Sequence, residues 1–255
     1  MTDNQFIKYQ RIPHLEEVPH ILDNPVEIYE KIDGGNAQVR KIGGRIFCGS
    51  RAHFLTREKL FTQEWFKDFQ KWALGNQSFY GLLEDLVIYG EWTAKHTLTY
   101  KPEFTNRFFL LDVLDLNSRR FIPYAEARQI LSDLGIENLL YLENLSEGKV
   151  SREQLVKMLT GNEYRYSGER EGLVVKNYEL QEFAKLRASS IRRKGIITAS
   201  DIGNIIHGLK DSGKDITENR VVDELELDFR RSNRQVPLSV IQSSVSNYFK
   251  KNPDN

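Results

Sequence analysis

Hydrophobic positions in the first part of the chain come in short runs separated by turn residues. Val26 to Tyr29 reads as a strand leading into Glu30 and Lys31. Ala37 to Ile42 and Arg45 to Phe47 flank Gly43-Gly44, a hairpin signal, because glycine accepts the positive φ of two-residue turns. Leu86 to Tyr89, Phe108 to Leu114 and Gly172 to Lys176 read as further strands, rich in β-branched and aromatic residues. Helical spacing appears between them. Phe61, Trp65, Phe69 and Trp72 repeat every three to four positions, and Ala127, Ile130, Leu131 and Leu134 do so before Gly135. Ser151 with Gln154 forms a capping-box pattern opening a helix that stops near Gly161.

Beyond about residue 195 the texture becomes helical. Ile202, Ile205, Ile206 and Leu209 make one apolar face, with Thr198 and Asp201 as its capping box. Val221, Val222, Leu225 and Phe229 make a second face. Leu238, Ile241, Val245, Tyr248 and Phe249 make a third, opened by Pro237 where proline is tolerated. The fold class expected is α+β, with an α+β body over residues 1–192 and a small all-helical module over 193–255.

Composition narrows the class. The 255 residues carry 36 Lys+Arg against 36 Asp+Glu, so the chain is not a sequence-blind polycation, although a local basic patch remains open. At 40% hydrophobic and 28% charged it reads as globular rather than disordered. The lone Cys48 excludes an internal disulfide framework and a cysteine-built zinc site. The N-terminal residues mix Asp3, Lys8 and Arg11 and contain no secretory apolar core, and the best apolar run, Phe108 to Leu114, is broken by Asp112. A cytoplasmic protein is expected. The five histidines lack zinc-type spacing, and neither a Walker loop nor a dinucleotide glycine fingerprint occurs.

One segment carries chemistry: Glu30-Lys31-Ile32-Asp33-Gly34-Gly35-Asn36, between a strand and a hairpin. It fits a solvated turn, but it also fits a lysine nucleophile. Such a lysine must shed a proton whose reference pKa is about 10.4, and burial or nearby cations help it to do so. Attack on a nucleotide α-phosphate then gives a lysyl phosphoramidate, with the glycines allowing close backbone approach to phosphate. Further blocks follow in order. Ser50-Arg51 offers a donor fork for phosphate. Tyr89-Gly90-Glu91 ends a strand with a carboxylate, and Phe108-Phe109-Leu110-Leu111-Asp112 supplies a stacking aromatic. Glu171-Gly172-Leu173-Val174-Val175-Lys176 places a carboxylate and a lysine at the two ends of one strand. Lys185 and Arg187 alternate on one side of an extended run.

Together these blocks resemble the covalent nucleotidyltransferase superfamily of ATP-dependent ligases and mRNA capping enzymes, over roughly residues 26–188. Within it the chain is most similar to the RNA ligase 2-like branch. Asn36 stands where DNA ligases and capping enzymes usually carry arginine, Tyr89-Gly90-Glu91-Trp92 with Ala94-Lys95-His96 resembles bacterial and phage RNA ligases, and the helical C-terminus leaves no room for an OB barrel.

The resemblance implies an adenylation fold of antiparallel sheets with flanking helices, and an ATP-dependent RNA ligase joining 3′-hydroxyl and 5′-phosphate ends. Lys31 would take AMP from ATP, with Asp33 orienting it. Glu30 would read the adenine edge, and Ile32, Arg51, Glu91, Phe108, Lys176, Lys185 and Arg187 would complete the nucleotide site, Phe108 as the stacking residue. The block departs from its relatives at Leu111, where they often have phenylalanine. Asn36 and Arg51 would hold the RNA 5′-phosphate. Glu171, with Glu91, would hold magnesium, manganese being the other candidate ion. The basic run Lys185, Arg187, Arg192, Arg193, Lys194 and the group Arg230, Arg231, Arg234 are candidate RNA contacts. A DNA nick ligase, an mRNA guanylyltransferase and an inactive RNA-end-binding module are the alternatives.

Overall fold

The computed structural model describes residues 6–55, 64–94, 98–159, 170–188, 197, 199–231, 236 and 238–252. Thr198, Pro237 and Gly161, invoked above as helix signals, lie outside these residues, as do Lys95, His96, Arg192, Arg193, Lys194 and Arg234.

The chain divides into two compact units, one of Met1–Pro13 with His20–Lys185 and one of His14–Pro19 with Leu186–Asn255. The first unit is α+β. Its strands are β1 (Val26–Lys31), β2 (Gly35–Ile42), β3 (Arg45–Ser50), β4 (Leu86–Trp92), β5 (Phe108–Asp115), β6 (Arg120–Phe121), β7 (Asn144–Gly148), β8 (Gly172–Asn177) and β9 (Glu182–Arg187), the last ending just beyond the division between units. Helices α1 (Glu64–Gly75), α2 (Tyr124–Asp133) and α3 (Arg152–Met158) stand between strands. One sheet has the order β7-β1-β8-β9 and the other β3-β2-β4-β5-β6, and every pairing with a resolved register is antiparallel.

Local chemistry explains most boundaries. Gly43 and Gly44 close the β2–β3 hairpin with φ of 55° and 73°, the backbone that glycine adopts without cost. Gly135, with φ of 67°, lies just past α2. Ser151 Oγ accepts from the Gln154 N–H at 3.3 Å and Gln154 Oε1 accepts from the Ser151 N–H at 2.7 Å, which starts α3. Strand β7 was not legible, because Asn144-Leu145-Ser146-Glu147-Gly148 lacks strand-forming residues. Pairing with β1 imposes its conformation.

The sheets meet through one buried polar cluster. Lys176, on β8, sends Nζ to Asp112 Oδ1 at 2.8 Å and to the Leu111 carbonyl at 2.7 Å, both on β5. Tyr178 Oη donates to the same carboxylate oxygen at 2.8 Å, and Tyr9 Oη donates to Oδ2 at 2.5 Å. Asp112 is 0% and Lys176 2% exposed. The rings of Tyr29, Tyr124, Tyr178 and Phe183 lie 5.1 to 5.6 Å from the ammonium. Burial pulls the Lys176 ammonium below its ordinary pKa, and Asp112 opposes that. Burial raises the Tyr9 and Tyr178 hydroxyls, with Asp112 adding to the rise, so both remain protonated donors.

The second unit contains α4 (Ala199–Asp211), α5 (Glu218–Arg231) and α6 (Leu238–Lys251). Ile202, Ile206 and Leu209 of α4, Val221, Leu225 and Phe229 of α5, and Ile241 and Val245 of α6 share one apolar core, as their spacing predicts. Among the described residues no helix is long and apolar enough to cross a membrane.

A cluster this dry makes a sharp stability prediction. Lys176→Met strands a buried carboxylate and should cost about 3–5 kcal/mol in urea unfolding. Adding Asp112→Leu should recover part of that loss. Near-equal stability of the single variant and wild type would show that the pair does not tie the sheets.

Candidate active site

Lys31 ends β1 opposite Gly172, the first residue of β8, so the antiparallel register carries Glu171 just past the pair. Lys31 Nζ and Glu171 Oε2 stand 2.6 Å apart, with side chains 20% and 17% exposed. Unlike Lys176, this lysine has an opening to solvent and a partner it can exchange. Ile32 is buried in the core and anchors the loop that follows.

Asp33 is buried and fastens that loop to the segment after β4. Its Oδ2 accepts from the Leu98 N–H at 2.6 Å, and its own N–H donates to Tyr100 Oη at 2.8 Å. Burial raises the Tyr100 hydroxyl well above its ordinary pKa. The Asp33 N–H opposes the rise, and the charges of Asp33, Glu30 and Glu91 reinforce it. Gly34 has a different reason to be glycine from the phosphate approach expected: an added Cβ would sit 2.4 Å from the Trp92 carbonyl oxygen. Glu30 alternates to the opposite face of β1 from Lys31 and is buried there, its cross-strand neighbour being Leu173.

The second wall is one face of the five-stranded sheet. Asn36 pairs with Glu91, and Glu91 with Phe109, so these three form a row across β2, β4 and β5. Asn36 Nδ2 reaches the Gly90 carbonyl at 3.5 Å. Arg51 is exposed immediately beyond β3, whose Ser50 pairs with Ala37.

Two expectations change here. Phe108 pairs with Trp92 and lies on the opposite face of the sheet from Glu91. It is fully buried, stacked near-parallel on Trp72 at 5.3 Å and on Phe69 at 5.8 Å, and it fills the space a Gly90 Cβ would take. Phe109, itself buried, is the aromatic on Glu91's face. Alternation within Phe108-Phe109 was visible in the sequence, but the face could not be assigned without the pairing. Lys176 is the other change. Its ammonium is spent on Asp112, Leu111 and Tyr178 rather than facing phosphate. Phe183 lies 5.4 Å from Lys176 Nζ, and two residues on, Lys185 takes the same face of β9. Arg187 closes that strand.

Tyr100 is the residue sequence reading missed, since no spacing rule links it to Asp33, 67 positions away. Cys48 is buried, its thiol pushed up to about 12 by desolvation, which removes it as a nucleophile at neutral pH. Among the described residues no group of three or more His, Cys, Asp or Glu is placed to hold a metal by itself. Glu171 and Glu91 each offer hard oxygen donors, the kind that divalent ions take.

The RNA ligase family model matches residues 24–189. Solved structures with a similar fold include a point mutant of Naegleria gruberi RNA ligase with ATP and Mn, 19% identical with a TM-score of 0.56, covering 73% of this chain and 57% of that one. A second mutant of that ligase, with AMP and Mn, is 18% identical with a TM-score of 0.56 over 73% and 57% of the two chains. The same ligase with PPi is 18% identical with a TM-score of 0.53 over 73% and 57%. The chain thus spans less than two thirds of the length of these ligases. No curated protein matches significantly. At such identities the likeness is one of fold, and kinship rests on the family match, which covers most of the chain and contains every strand and helix that builds the site: the protein belongs to the RNA ligase family.

Proposed function

We propose that the protein is an ATP-dependent RNA ligase of the RNA ligase 2-like branch, working in the cytoplasm and joining 3′-hydroxyl to 5′-phosphate ends through a lysyl-AMP intermediate. The observation that carries this reading is the partly exposed Lys31–Glu171 pair at 2.6 Å, where β1 ends against the start of β8. A lysine kept for structure would be saturated like Lys176. Lys31 instead has a carboxylate partner and an opening to solvent.

In the first step Lys31 Nζ, having lost a proton, attacks the α-phosphorus of ATP. The N–P bond forms as the bond to the bridging oxygen breaks, and pyrophosphate leaves with that electron pair. Lys185 and Arg187 neutralise charge on the departing phosphates. Glu91 accepts from a ribose hydroxyl and Phe109 stacks on the base, while Glu30 and Ile32, both buried, hold Lys31 between them. Asp33, through Leu98 and Tyr100, holds the lysine loop in place. A divalent ion bound by Glu171, with Glu91 as the second donor, would offset phosphate charge. AMP then passes to an RNA 5′-phosphate gripped by Asn36 and Arg51, and the adjoining 3′-hydroxyl displaces AMP to seal the strand. We assign adenylation to residues 1–192, with sealing needing residues 193–255 as well.

Incubation with α-labelled ATP and magnesium, followed by denaturing electrophoresis, should label the protein. Lys31→Ala should carry no label. Label from GTP instead of ATP would point to capping chemistry, and none from either, even after pyrophosphate treatment to strip bound AMP, would favour an RNA-end-binding module.

Exchange of the two adjacent phenylalanines separates their roles. Phe109 is buried too, so Phe109→Leu should lower the melting temperature somewhat, and in addition raise the KM for ATP about tenfold, the scale of base stacking. Phe108→Leu should lower the melting temperature, with a smaller effect on KM. The reverse pattern would return the stacking role to Phe108.

A further inference from the structure

A cavity of about 830 Å³ opens between the end of α1, the turn at residues 77–81 and the loops at 106–107 and 137–138. It is a separate place from the adenylation site. Trp92 stands in its wall, and Trp92 takes the opposite face of β4 from Glu91.

The walls are built to receive a flat polar ring. Trp72 and Trp92 both line the cavity, their rings 5.4 Å apart. Trp92 is 1% exposed, and its indole N–H has no partner among the described residues. Buried donors are nearly always paired, and an acceptor on a ligand in this cavity would satisfy this one. Gln77, Asn106 and Asn138 add amides that offer donors and acceptors together, the chemistry of a nucleobase edge. Lys71 and Arg107 supply cations, and Asp68 and Glu137 balance them. That balance disfavours a triphosphate or pyrophosphate and suits a ligand with one phosphate per ring.

The rim is set without a ligand. Asn76 Nδ2 donates to the Glu137 carbonyl at 3.0 Å, the Glu137 N–H donates to Ser78 Oγ at 3.0 Å, and Ser78 Oγ donates to Asn76 Oδ1 at 2.9 Å. A preformed cleft of this size, with apolar walls and a few converging polar groups, is the usual form of a small-ligand site.

We infer that this cavity holds one unpaired nucleotide of the RNA, away from the end being sealed. The base lies against Trp72 and gives an acceptor to the Trp92 N–H, and the flanking phosphates meet Lys71 and Arg107. The identity of the polymer rests on the ligase reading, whereas the existence of the site does not.

The test uses the full chain and a short fluorescent single-stranded RNA with a 5′-hydroxyl and a blocked 3′ end, which cannot be sealed. Anisotropy should show at least about fivefold weaker binding for the exposed-site variant Lys71→Ala/Arg107→Ala. The RNA should also quench the tryptophan fluorescence of wild type more than that of the variant. Labelling of Lys31 by α-labelled ATP should be equal in both. Unchanged affinity and quenching in a variant that still labels would overturn the inference and leave the ligase reading standing. Quenching by AMP or UMP but not by the RNA would overturn the polymer assignment. Absence of ATP labelling in wild type would defeat the ligase reading, yet the binding comparison would still decide whether the cavity takes RNA.

Discussion

The carboxylate of Asp112 is the point on which the two-sheet body turns. It lies fully buried on β5, takes the ammonium of Lys176 from β8, and accepts hydroxyl protons from Tyr9 and Tyr178. Non-directional apolar packing could hold two sheets together at many offsets. A saturated ion pair with fixed donors permits very few, because any slip leaves a charge unpaired in a dry interior. It thereby fixes where the end of β1 and the start of β8 stand relative to the other sheet.

Two lysines on the same face of the four-stranded sheet therefore acquire opposite chemistry. Glu27 and Lys176 form one cross-strand pair, and Lys31 and Gly172 another, so both lysines point between the sheets. Depth separates them. Lys176 is closed in by aromatic rings and spends its protons on three oxygens, whereas Lys31 sits at the opening with Glu171 beside it. An amine that is to attack phosphorus must be able to lose a proton and move, and a saturated buried ammonium can do neither.

The loop after Lys31 shows how closely structural and chemical demands are interleaved. Ile32 enters the core, Asp33 ties down the segment beyond β4 through Leu98 and Tyr100, and Gly34 lets two backbones come together beside Trp92. Much of what makes the segment recognisable as a motif is thus the fastening of one lysine. The glycine that reads as a phosphate contact in the sequence is, in the fold, a contact between strands.

The sequence by itself determined the elements and the chemistry on offer. Period-two and helical patterns located most strands and helices, Gly43-Gly44 and Ser151 with Gln154 fixed their turns and caps, and the ordered blocks around Lys31, Glu91 and Glu171 pointed to nucleotidyl transfer. These are local signals, carried by residues a few positions apart. Tertiary structure decided which face each residue takes and who its distant partner is. Phe108 and Phe109 differ by one position, yet strand pairing sends one to the α1 core and the other to Glu91's face. Lys176 reads as a phosphate ligand until β5 presents Asp112 to it. The polar strand β7 exists only because β1 offers it an edge, and Tyr100 meets Asp33 only through the folded chain. In each case the deciding contact is long-range, and a one-dimensional pattern has no term for it.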